Sequence, residues 1–102
     1  MPEIPIIGSE GKPILYAYLD GVDLKFQFEY YGTGENGMDY EFIHTVEPEN
    51  QMLIAEKFGL DPMADVLDAV QQISEAGHGE ELKQALTNKA IPNHLWTWLG
   101  TP

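Results

Sequence analysis

PILYAYLDGVDLKFQFEYY, residues Pro13 to Tyr31, decides the fold. Its first half is apolar and aromatic, its second half alternates in period two, and Asp20-Gly21 between them is a two-residue hairpin signal. Val22, Leu24, Phe26, Phe28 and Tyr30 then share one strand face, and any even-length turn aligns them with Leu15, Ala17 and Leu19. That face is assigned to the core. The opposite face carries Ile14, Tyr16, Tyr18, Asp23, Lys25, Gln27, Glu29 and Tyr31.

Working outward, Gly32 to Gly37 is a glycine-rich loop and Met38 to Val46 a third strand. Met38, Tyr40, Phe42, His44 and Val46 face inward; Asp39, Glu41, Ile43 and Thr45 face outward. Glu3 to Ile7 offers a short edge strand, weakened by Pro2 and Pro5. After Val46 the period changes. Pro48 and Gly59 bracket a helix over Glu49 to Phe58. Asp61-Pro62 opens a second, whose apolar stripe is Met63, Val66, Leu67, Val70 and Ile73, closed by Gly77. Glu80 to Lys89 forms a third with Leu82, Ala85 and Leu86 inward, its acids early and its lysines late as the helix dipole favours. Ile91-Pro92 ends it, and Asn93 caps a last helical turn carrying Leu95, Trp96, Trp98 and Leu99. Two tryptophans spaced by two cannot both face the core from a helix, so one is expected to be partly exposed or to cover a core edge, as a C-terminal plug or, alternatively, a second contact patch.

This order predicts an α+β chain: an N-terminal antiparallel sheet of three or four strands, followed by three to four helices packed on one face. Residues 1–102 are read as a single domain, the size at which one hydrophobic core suffices.

The charge balance is extreme. Seventeen Asp and Glu stand against five Lys and no Arg, a formal net of -12. An apolar share of 43% with 11% aromatics distinguishes the chain from a disordered acidic tail. Nucleic-acid phosphates and anionic lipid bind through Lys and Arg, so direct nucleic-acid and membrane binding are disfavoured. The same field accelerates encounter with a basic protein surface, with strong salt dependence. Without cysteine there is no disulfide framework or thiolate zinc site. No positively charged leader and no long apolar run is visible, and the expected location is the cytoplasm.

Motifs for catalysis fail on inspection. Gly32-Thr33-Gly34-Glu35-Asn36-Gly37 matches the dinucleotide fingerprint, but a strand follows where the pyrophosphate needs a helix N-terminus, and Glu35 repels phosphate. His44, His78 and His94 are scattered without zinc spacing, and His44 reads as a hydrogen-bonded interior residue on the core face. Neither Ser9 nor Ser74 stands in a nucleophile elbow. Carboxylate rows such as Asp61, Asp65 and Asp68 read as solvated helix faces, and the missing Arg disfavours phosphate or carboxylate substrates. No catalytic residue, cofactor or metal is assigned.

The outward sheet face remains. Tyrosines among acids make up a protein interface, the rings supplying buried area and the carboxylates steering a cationic partner. Tyr16, Tyr18 and Tyr31 are the candidate anchors; Asp23, Glu29, Asp39 and Glu41 are the candidate electrostatic contacts, with Asp65 and Asp68 secondary. Tyrosine is equally a good strand residue, and acids also keep an open sheet soluble.

In size, acidity, cysteine-free composition and α+β order the chain resembles the immunity proteins of bacterial toxin systems, including contact-dependent growth inhibition. The resemblance implies a partner, a cognate toxin domain that is often a basic nuclease, blocked at or beside its active site. One subtype would be a DNA mimic, its carboxylates spaced like phosphates. A non-inhibitory interaction subunit or adaptor is the alternative. A small enzyme or ligand-binding domain using Asp39, Glu41 or His44 in a pocket beneath the Gly32 to Gly37 loop is a further one.

Overall fold

The computed structural model describes residues 3–30 and 39–100. The hairpin at its centre pairs Pro13–Asp20 (β2) with Asp23–Tyr30 (β3), setting Leu19 opposite Leu24 and Ala17 opposite Phe26. The two-residue loop is Gly21-Val22, one position later than the sequence motif places it. Gly21 has φ +63° and Val22 does not share a positive φ, the pattern of a type II′ turn, which matches strand twist and accepts glycine at its first central position. Val22 consequently leaves the core face and is 71% exposed. The register moves by two residues, so the side chains of residues 15–20 and 23–28 keep their expected faces. Ile14, expected to face outward, is instead half-buried against the core.

Ile4–Ile7 (β1) adds the edge strand on the β2 side, and Asp39–Val46 (β4) pairs with β3. The fifth strand comes from the far end of the chain. His94–Gly100 (β5) pairs antiparallel with β4, closing a sheet of order β1-β2-β3-β4-β5. The expected last helical turn is therefore a strand, and the sheet has five strands rather than three or four. Tyr31, the Gly32 to Gly37 loop and Met38 lie outside the described residues.

Three helices cover one face of the sheet: Pro48–Lys57 (α1), Val66–Glu75 (α2) and Gly79–Thr87 (α3). Gly59 and Gly77 end the first two, with Leu60 N–H donating to the Ala55 carbonyl and His78 N–H to the Ile73 carbonyl. Asp65, not Asp61, caps α2, its carboxylate accepting from the Leu67 and Asp68 amides at 2.9 and 3.3 Å. Met63 therefore precedes the helix and is exposed instead of buried. The core joins Ile6, Leu15, Ala17, Leu24, Phe26 and Val46 of the sheet to Ile54, Val70, Ile73, Leu82, Ala85, Leu86 and Ile91. Burying such side chains stabilises by about 1.5–3 kcal/mol each before conformational entropy opposes it.

Two close contacts fix the helices to β1. Ser74 Oγ accepts from the Ile7 N–H at 2.9 Å and its hydroxyl donates to the Pro5 carbonyl at 3.2 Å. Pro5 has no N–H to offer, so the free edge of β1 is closed by a ring and a hydroxyl. Gly79 brings the start of α3 so near β1 that a Cβ there would collide with the Ile7 carbonyl. Gly79→Ala is expected to lower stability by about 1–3 kcal/mol through forced separation of α3 from β1, read as a lower urea midpoint at unchanged m-value.

Candidate functional site

With all helices on one side, the other side of the sheet is uncovered among the described residues. Strand register lays one row across all five strands: Pro5, Tyr16, Gln27, Ile43 and Trp96 are successive cross-strand partners. At the usual strand spacing that row spans about 19 Å. Tyr16 is 42% and Trp96 50% exposed, while Ile43 is half-buried between neighbours. A second row runs Tyr18, Lys25, Thr45, His94. Tyr18 Oη donates to Gln27 Oε1 of the first row at 2.7 Å, tying the two rows together, and Lys25 Nζ donates to Thr45 Oγ1 within the second row at 3.0 Å. On the other flank Glu29 stands opposite Glu41, which in turn stands opposite Trp98.

The expected contact residues divide accordingly. Tyr16 and Tyr18 lie on the uncovered face, the second half-buried. Asp23 opens β3 directly opposite Asp20. Glu41 is half-buried in β4; Glu29 and Asp39 are placed by register, opposite Glu41 and Gly100. Tyr31 is not among the described residues. Trp96, read from sequence as part of a helical turn and so not assigned to this face, joins it as a strand residue. Its signal was the alternation Trp96-Thr97-Trp98, period two with a β-branched centre, which is strand-like.

Two like-charge pairs, Asp20 with Asp23 and Glu29 with Glu41, sit directly across neighbouring strands. Such pairs weaken a sheet by a few tenths of a kcal/mol, and a cation arriving from outside is favoured beside them. The negative charge is not confined to this face. Nine of the seventeen acids fall between Glu47 and Glu81, in the helical layer and its connections, so the field surrounds the molecule.

The inner face holds His44, 3% exposed, whose Nδ1–H donates to Asn93 Oδ1 at 2.8 Å. Asn93 Nδ2 donates to the Leu86 and Ile91 carbonyls at 2.8 Å each, which fixes the amide orientation and hence the histidine tautomer. Burial pushes the His44 pKa below the ordinary histidine value; Lys89 and Lys83 push it the same way, against the Asn93 bond. At the surface Glu47 lies below the ordinary carboxylate value, first through side-chain hydrogen bonding with Glu49 and then through His94, whose Nε2 is 2.6 Å from its carboxylate. His44 and Glu41 fall on opposite faces of one strand, so the sheet separates them and they do not converge on a substrate. A groove of about 580 Å³ between β1 and α2 is lined by Glu3, Glu75, Gln71, Ser74 and apolar β1 residues, with no basic side chain. Among the described residues no group of three or more His, Asp or Glu is placed to hold a metal ion, and no helix is long and apolar enough to cross a membrane.

Comparison with known proteins finds no matching family model, no matching curated protein and no matching solved structure.

Because His44 is held neutral in the fold, the unfolded chain takes up its proton at higher pH than the folded one. Stability is therefore greatest above the unfolded histidine value and falls as pH drops through it. The urea midpoint is expected to decline between about pH 7.5 and about pH 5.5, with His44→Gln flattening that slope while lowering the midpoint at the upper end.

Proposed function

We propose that this chain is a non-catalytic acidic binding protein that neutralises a cognate toxin, acting as an immunity protein of a bacterial toxin system in the cytoplasm. The partner that fits is a basic domain, a nuclease above all, because a groove kept positive for phosphate is complementary to a surface of net charge -12. The observation that carries the proposal is the uncovered sheet face, where exposed Tyr16 and Trp96 lie in one row beside directly opposed carboxylate positions. Large rings bury area at small entropic cost, and opposed carboxylates gain from an incoming Lys or Arg. Occlusion of the toxin's active site or of an adjacent surface follows from rigid docking of the sheet. Nothing in this mode needs a cofactor, a metal or contact with nucleic acid.

The adaptor alternative draws on the same aromatic row without its charge. Salt separates the two: a basic partner loses affinity as salt rises, whereas an apolar contact does not.

Co-purification from the native host, or expression with the product of an adjacent upstream gene, is expected to yield a cationic protein that is toxic without this chain. Against that partner, combined Asp23→Lys, Glu29→Lys, Asp39→Lys and Glu41→Lys should slow association at least about tenfold at low salt with the circular dichroism spectrum unchanged. Trp96→Ala should instead speed dissociation, at a cost of about 2 kcal/mol or more in affinity. Association rates indifferent to both salt and charge reversal would remove the toxin assignment.

A further inference from the structure

The two edges of the sheet are treated differently. At β1, Pro5 and the Ser74 hydroxyl occupy the positions an added strand would need. At β5 the outer edge has no neighbour among the described residues. Its seven residues, His94-Leu95-Trp96-Thr97-Trp98-Leu99-Gly100, include no Asp, Glu or Lys, and Leu95 and Trp96 are 52% and 50% exposed. A long, uncharged, apolar edge is the feature natural sheets ordinarily blunt with charge, proline or a bulge.

The sequence of that edge is also a palindrome. Leu95-Trp96-Thr97-Trp98-Leu99 reads the same in both directions about Thr97. An antiparallel strand paired about Thr97 would meet its own complement: Thr97 with Thr97, Trp96 with Trp98, Leu95 with Leu99. Self-complementarity about one point is what a two-fold interface requires, since each residue i meeting j implies j meeting i. Aromatic cross-strand pairs are among the more stabilising available to a sheet. Electrostatics favours the same place: two copies of a chain carrying -12 repel one another broadly, and along β5 they meet without opposed carboxylates.

We propose that the β5 edge pairs with the β5 edge of a second copy of this chain, antiparallel about Thr97, forming a continuous ten-stranded sheet. Edge pairing leaves the uncovered face available and extends its aromatic row across the two-fold axis. The dimer does not depend on the toxin assignment. It also differs from it in sign: screening weakens attraction to a basic partner but relieves repulsion between like-charged copies.

Sedimentation equilibrium of the full chain alone tests this. A reversible monomer–dimer equilibrium is expected, tightening at least about threefold between about 0.1 M and about 1 M NaCl as the Debye length falls from about 10 Å to about 3 Å. Thr97→Asp, which sets two carboxylates against each other on the axis, should weaken the dimer at least about tenfold with its thermal melt preserved. Because the chain has no cysteine, a single Thr97→Cys provides a measurement independent of that variant's folding. The two introduced thiols of Thr97→Cys would lie within disulfide reach across the axis, whereas those of Leu95→Cys would be about 13 Å apart along the strands. Efficient cross-linking of Thr97→Cys and little of Leu95→Cys is the supporting result. A monomer at every concentration and salt, a dimer indifferent to Thr97→Asp, or equal cross-linking by both cysteine variants would overturn the proposal.

Discussion

A hydrogen bond from the buried His44 to Asn93 links the middle of the sheet to the end of the helical layer and anchors the residue that precedes the last strand. Asn93 spends its amide on the Leu86 carbonyl, which also accepts from the Lys89 N–H at 3.4 Å at the end of α3, and on the Ile91 carbonyl; its oxygen goes to the His44 ring. Lys89 supports the same residue, with Nζ donating to the Asn93 carbonyl at 2.6 Å. It does so from φ +65°, the one positive φ at a non-glycine residue among those described. A residue in that conformation costs about 1 kcal/mol and persists where its surroundings hold it. The chain thus leaves α3 through a tied corner and enters the sheet beside β4.

That corner sets up the two-sided character of the molecule. Helices and core lie on one side of the sheet; on the other, β5 completes the row that begins at Pro5 and Tyr16. Without β5 the outer face would end at Ile43, and β4 would expose its own backbone edge. The carboxylates of this face and those of the helices differ in meaning. Acids on helices are solvated along one side, whereas two pairs of acids occupy directly opposed positions on neighbouring strands, an arrangement in which like charge costs the sheet and a cationic partner gains.

The hairpin, the inward and outward sets of β2, β3 and β4 among the described side chains apart from Ile14 and Val22, the interior role of His44 and the existence of α1 to α3 were legible in the sequence. In each case a local rule decides. Period two fixes faces whatever the turn, glycines close helices, and an apolar stripe at helical spacing seeks a core. Local rules also erred locally. Asp20-Gly21 looked like the turn, but only the first loop position needs a positive φ, so the loop formed at Gly21-Val22. Asp61-Pro62 looked like a helix start, but Asp65 makes the capping bonds and Met63 stays outside. The candidate site was half legible: Tyr16, Tyr18, Asp23 and Glu41 could be assigned from strand parity, whereas Trp96 could not.

The sequence alone therefore determined the α+β class, the two-faced sheet and the acidic character, because these depend on periodicity and composition within a few residues. Tertiary structure alone decided that residues 94–100 are a strand, which strand they join and which edge remains open. Leu95-Trp96-Thr97-Trp98-Leu99 can satisfy its backbone as a helical turn or as a strand. The choice falls to the unpaired hydrogen bonds of β4, some fifty residues earlier in the chain, which only a neighbouring strand can fill.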